Sequence, residues 1–186
     1  LALFVERGFA ATRLDDVAAR AGVSKGTLYL YFDSKEALFR AVIEESVLPL
    51  IDECEARVEA LQDQPVRLLR ELLTTWWVRF GATPLGGTCK LMVAEAGNFP
   101  DVAAYFNEAV IGRWGALLRR VIEAGIARGV FRSGSPELLR QMVFHPLLMQ
   151  SILQHSMLAG PAGRPLPEPY FDTYFDFILR GLGAAV

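Results

Sequence analysis

Apolar residues recur at three- and four-residue spacing along nearly the whole chain, and almost no segment alternates with period two. That pattern predicts amphipathic helices and no sheet. Glycine and proline divide it into about nine helices. Residues 1–7 read as the end of a first helix stopped by Gly8, with Leu3 and Phe4 inward, and residues 14–21 as a second stopped by Gly22. Ser24 caps a third over 25–30, and Ser34 caps a long fourth running towards Leu61. Pro49 lies inside that fourth helix, where its ring meets the carbonyl of Glu45, so a kink is expected. Gln64-Pro65 opens a fifth helix to Phe80, residues 83–87 are a loop, and a sixth helix covers 89–97. A seventh spans 101–128, an eighth runs from Ser135-Pro136 to Leu158, and a ninth covers 170–182. The stretch GPAGRPLPEP (160–169) reads as a rigid turn or loop.

The segment TRLDDVAARAGVSKGTLYLYFDSKEAL (12–38) stands out from this background. Two short helical patterns meet at Gly22, which supplies the left-handed backbone of a tight turn. Val17, Ala18, Ala21, Val23 and Leu28 are spaced to pack the two at a steep angle, the layout of a helix-turn-helix. Ser24, Lys25, Gly26 and Thr27 form the start of the second helix, the part that points at base edges. Lys25 can donate to guanine O6 or N7, Thr27 can hydrogen-bond a base or touch a thymine methyl, and Gly26 admits close approach. Tyr29, Tyr31 and Lys35 reach for phosphate oxygens.

On these residues, GFAATRLDDVAARAGVSKGTLYLYFDSKEAL (8–38) resembles the N-terminal domain of the tetracycline-repressor (TetR) family of bacterial regulators. The resemblance covers residues 1 to about 45. It implies base reading by Lys25, Gly26 and Thr27, and phosphate contacts by Thr12, Arg13, Tyr29, Tyr31 and Lys35. One departure is Arg13, at a position usually Ser or Thr; Thr12 is then expected to cap the second helix with Asp15, leaving Arg13 for phosphate. KLMVAEAGNFPDVAAYFNEAV (90–110) resembles a subgroup with an AefR-like C-terminal domain. The expected fold is all-α: a three-helix DNA-binding domain over 1–45, its N-terminus truncated, and a C-terminal helical bundle over 46–186 for ligand binding and dimerisation.

Composition narrows the picture. The 186 residues are 52% hydrophobic, which excludes global disorder, and the net charge of −2 gives no overall basic signal. DNA binding then rests on charge local to one face. Cys54 and Cys89 read as free thiols, and no run approaches the ~18 apolar residues that span a bilayer, so a cytoplasmic protein without membrane partner is expected. No GxSxG, HExxH, phosphate loop or Cys-His pair is present, so the sequence suggests no catalytic residue, metal or cofactor.

In the C-terminal part, aromatic stripes on the fifth and seventh helices read as core. The family resemblance implies an inducer pocket among them, taking a small apolar or aromatic effector, with Trp76, Trp77, Phe80, Phe106, Val110, Trp114, Phe144 and His145 as its candidate lining. His145-Pro146 interrupts the eighth helix. The ninth is apolar nearly all round and needs cover on both sides. The resemblance implies a four-helix homodimer interface there, through Leu147, Ser151, Phe171, Tyr174, Phe175, Ile178 and Leu182. A twofold dimer suits a palindromic operator in double-stranded DNA.

Overall fold

A computed structural model describes residues 1–158 and 169–184. The loop expected over 160–169 falls, apart from Pro169, outside the described residues. Among those described, the regular structure is entirely helical. Three short helices, α1 (Ala2–Arg7), α2 (Leu14–Ala21) and α3 (Lys25–Tyr31), form an N-terminal head. Leu14, Ala18 and Leu28 are buried where α2 and α3 cross, and Gly22 turns between them at φ 69°. Ser24 and Ser34 cap as expected: their hydroxyls accept from the amides of Thr27 and Ala37, each at 3.0 Å.

The expected fourth helix is two helices. α4 (Lys35–Ser46) ends at Val47, and α5 (Leu48–Ala60) begins with Pro49 in its first turn. A proline there lacks only an N–H that has no helical partner, so it starts a helix instead of kinking one. α6 (Pro65–Trp76) widens into a π-helical turn, Trp77–Gly81, and a 3₁₀ turn (Pro84–Gly86) leads to α7 (Gly87–Glu95). α8 (Pro100–Phe106) passes through a π-helical stretch, Asn107–Gly112, directly into α9 (Arg113–Ala127), so the expected seventh helix is continuous. α10 (Pro136–Gln154) runs through Pro146, and α11 (Tyr170–Gly181) lies against it, with the Tyr174 hydroxyl donating to the Val143 carbonyl.

Head and bundle share one core. Phe4 and Phe9 stack at 5.1 Å, and both meet Phe39 of α4 edge-on at 5.9 and 5.7 Å. Phe39 in turn faces Phe106 of α8 at 6.4 Å. Leu68, Leu69, Leu72 and Leu73 of α6, and Leu117, Leu118, Val121 and Ile122 of α9, fill the centre of the bundle.

Candidate nucleic-acid interface

The amino-terminal half of α3 stands free of the core. Ser24, Lys25, Gly26, Thr27, Tyr29 and Tyr31 are all exposed, as is Arg13, the residue before α2, whose side chain makes no cap bond. Tyr31 is 77% exposed and Leu30 84%, values that no packing role explains. Leu30 carries apolar area suited to a thymine methyl. Leu30 was given no role from the sequence; the leucine of α3 expected in the packing, Leu28, is the buried one.

The charges on this face are already engaged. Lys25 Nζ lies 2.7 Å from Asp15 Oδ2, and the Tyr29 hydroxyl donates to Asp15 Oδ1 at 3.4 Å. The lysine bond, followed by the weaker tyrosine one, holds the Asp15 carboxyl below its ordinary range, and Asp15 raises Lys25 in return.

Two expected phosphate contacts sit elsewhere. Thr12 is buried; its hydroxyl donates to the carbonyls of Gly8 (2.8 Å) and Leu3 (3.2 Å), so it neither caps α2 nor faces DNA. Lys35 Nζ donates to the carbonyls of Phe9 (2.8 Å) and Ala10 (3.1 Å) and lies 4.9 Å from the ring centres of both Phe9 and Phe99. The reason is the same for both. The chain between α1 and α2 folds back over the head, and its backbone oxygens need donors.

That turn is held from the other side by the bundle. Glu95, at the end of α7, accepts from the amides of Phe9 (3.0 Å) and Ala10 (3.2 Å), and Asn98 donates to its second oxygen at 3.1 Å. The Asn98 bond and these two amides depress its carboxyl below the ordinary value. Gly8 is required here twice: its φ is +87°, and an added Cβ would stand 3.1 Å from Glu95 Oε1. Glu95 was not foreseen, because nothing local marks a carboxylate that meets backbone 86 residues away.

Of the proposed effector residues, Trp76, Trp77, Phe80, Phe106, Val110, Trp114 and Phe144 are buried. Phe144 meets Trp76 at 4.9 Å and Trp114 at 6.3 Å, with Phe80 5.6 Å from Trp76. Trp77 lies 6.4 Å from Trp76 and extends this cluster to Phe171 at 6.0 Å, whereas Phe106 faces Phe39 at the junction with the head. His145 is exposed and lines none of this. The indole N–H of Trp114 is buried without a hydrogen-bond partner, and the two π-helical stretches lie on the helices that carry Trp76 and Trp114. Such stretches recur at functional sites.

The expected interface residues point inward as well. Leu147, Ser151, Tyr174, Phe175, Ile178 and Leu182 are buried within one copy of the chain, and Phe171 is half-buried. Ser151 donates to the Gly81 carbonyl at 2.7 Å. The outward stripe of α10 is Leu138, Met142, His145 and Met149, joined by Phe177 of α11. Its i, i+4, i+7, i+11 spacing was present in the sequence. A helix apolar on both sides does not say locally which stripe its own core covers.

Comparisons with known proteins agree with this geometry. The model for bacterial regulatory proteins of the tetR family matches residues 1–42, and that of a tetracyclin repressor-like C-terminal domain matches residues 56–166. An uncharacterized HTH-type transcriptional regulator of Mycobacterium tuberculosis is 36% identical over 185 residues, covering 89% of this chain and 88% of its own. The HTH-type transcriptional repressor NicS of Pseudomonas putida is 30% identical over 137 residues, covering 70% of this chain; that match spans 61% of its own length. Among solved structures, the TetR family transcriptional regulator PfmR from Thermus thermophilus is 26% identical at a TM-score of 0.75, covering 97% and 94% of the two chains. The relatives are transcriptional regulators and not enzymes, and this chain belongs to the tetR family of bacterial regulatory proteins.

Proposed function

We propose that the chain is a homodimeric repressor that holds an inverted-repeat operator through the start of α3 and lets go when a small apolar or aromatic molecule binds its bundle. The observation that carries the reading is the exposed, Ser24-capped first turn of α3, with Lys25, Gly26 and Thr27 free of the core. Residues 1–45 serve as the DNA-binding unit and 46–186 as the effector and dimerisation unit, with Phe39 bridging them. The outward stripe of Met142, Met149 and Phe177 supports a second copy as the cover of α10 and α11.

The Trp76, Phe144 and Trp114 cluster supports an effector with an acceptor for the orphaned indole N–H, since a buried donor without a partner carries a standing cost. FrrA, 26% identical at a TM-score of 0.61, is described as flavonoid-responsive, a flat aromatic class that fits such a cluster. An effector controls DNA affinity only by binding two states differently. The Glu95 contact to the 9–10 turn supplies a physical link between bundle and head, and a coupling of roughly 1–3 kcal/mol is expected. The activating sense is the second reading, favoured by FasR of Mycolicibacterium smegmatis, described as an activator and 39% identical over 66 residues.

The test is selection of bound duplexes from a random-sequence pool by the full chain. Enrichment of an inverted repeat with half-site centres about 34–36 Å apart is expected. A pool that stays random after repeated rounds overturns the reading.

A further inference from the structure

Residues 1–45 carry six Lys and Arg against seven Asp and Glu, an unusual balance for a surface that approaches a polyanion. The structure shows where the cations go. Arg7 pairs with Asp16 at 3.4 Å, Arg20 with Glu6 at 2.6 Å, and Lys25 with Asp15 at 2.7 Å. Lys35 is spent on the Phe9 and Ala10 carbonyls, and Arg40 lies over the Tyr105 ring at 4.3 Å. Among the described residues, Arg13 is the cation of the head with neither an ion pair nor a stacking partner, and its charge is felt by Asp15.

Asp15 therefore sits amid three of the side chains proposed to meet DNA. It accepts from Lys25 and Tyr29 and lies within the field of Arg13. A carboxylate offers these donors what a phosphate oxygen offers, a negative charge with two acceptor atoms. DNA cannot take Lys25 or Tyr29 without first displacing it.

We propose that Asp15 is an internal competitor for DNA: a stand-in for phosphate that holds Lys25 and Tyr29 and keeps the recognition helix neutral until DNA displaces it. Random DNA offers Lys25 and Tyr29 only phosphates, an exchange of one anion for another. Operator DNA adds the bonds of Thr27 and Lys25 to base edges, and these tip the exchange. Asp15 thus lowers affinity for every duplex by the same displacement cost, so that only a site with base contacts is held tightly. The inference rests on the DNA-binding reading of α3 given above.

The test compares full-length wild type, Asp15→Asn and Asp16→Asn on a random-sequence duplex and on the duplex selected by the wild type, across a salt series. Asp16→Asn removes the same charge from the same first turn of α2, but its partner is Arg7. Asp15→Asn is expected to bind random duplex roughly threefold tighter, the size of an exposed ion pair, with a salt dependence steeper by up to about one unit. It should bind the selected duplex tighter by a similar factor, leaving the preference unchanged, while Asp16→Asn changes both affinities much less. Thermal unfolding of each variant checks that the head stays folded. Equal tightening by both variants reduces the effect to net charge and overturns the proposal. So does weaker operator binding by Asp15→Asn at unchanged random binding, which makes Asp15 a positioning residue for Lys25. Absence of DNA binding by the wild type is a separate outcome and contradicts the parent reading instead.

Discussion

The first turn of α3 and the aromatic cluster between α6, α9 and α10 are opposites in construction. One presents hydroxyl and ammonium groups to solvent on a few buried supports, Leu14, Ala18 and Leu28; the other buries indole and phenyl rings so closely that most of their chemistry is spent on packing. A binding surface of the first kind keeps its donors at the surface on exchangeable partners and is readable from local sequence. A site of the second kind is hidden, because packing and ligand cavities ask for the same residues at the same spacing. Among the described residues, the orphaned Trp114 N–H is the polar feature of this cluster that sets it apart from filler.

The largest expected effects lie in the buried region. Phe175→Lys places an unpaired ammonium among Phe171, Tyr174 and the Arg70 guanidinium stacked on the native ring at 4.3 Å. It should cost several kcal/mol and unfold the C-terminal helices. Phe177→Asp, on the exposed side of the same helix, should leave the protomer folded and separate the dimer, as sedimentation reads. A dimer that survives Phe177→Asp moves the interface off this stripe. Phe39→Ala, which empties the junction of Phe4, Phe9 and Phe106, is expected to cost about 3–5 kcal/mol in chemical denaturation.

Next come the contacts between the two regions. Glu95→Ala strips the acceptor from the Phe9 and Ala10 amides and should cost about 1–3 kcal/mol, with faster hydrogen exchange at those two amides. The pH dependence follows from the sign of the shift. Glu95 is depressed when folded, so its stabilisation is complete above the ordinary carboxylate range and is lost as pH falls through the folded value. The wild type should therefore lose more stability on acidification than Glu95→Ala does.

The two lysines ten residues apart make the sharpest small contrast. Lys35→Ala should lower stability by about 1 kcal/mol, since its ammonium serves two carbonyls, while leaving the salt slope of DNA binding unchanged. Lys25→Ala should do the reverse: stability unchanged from wild type, and a lower salt slope. Swapped outcomes would return Lys35 to the phosphate-binding face.

These contrasts also show what the sequence could reveal. Ser24, Gly22 and Ser34 were legible because caps and turns are local devices, satisfied within three or four residues. The nine helical segments followed from periodicity and proline placement, except that Pro49 begins a helix instead of bending one. Thr12 and Lys35 were misread because their partners lie on a turn whose path depends on the whole head. His145 and the buried stripe of α10 were misread because a helix apolar on two sides does not say which side meets its own core. Glu95 and the pairing of Asp15 with Lys25 became visible only once distant segments were brought together.

The central claim is that the start of α3 reads base edges. The direct measurement is the affinity of wild type and Thr27→Ala for the selected duplex and for random duplex, at one salt concentration. Loss of roughly 1–3 kcal/mol on the selected duplex with little change on the random one is the expected result. Equal loss on both, or no loss on either, contradicts it.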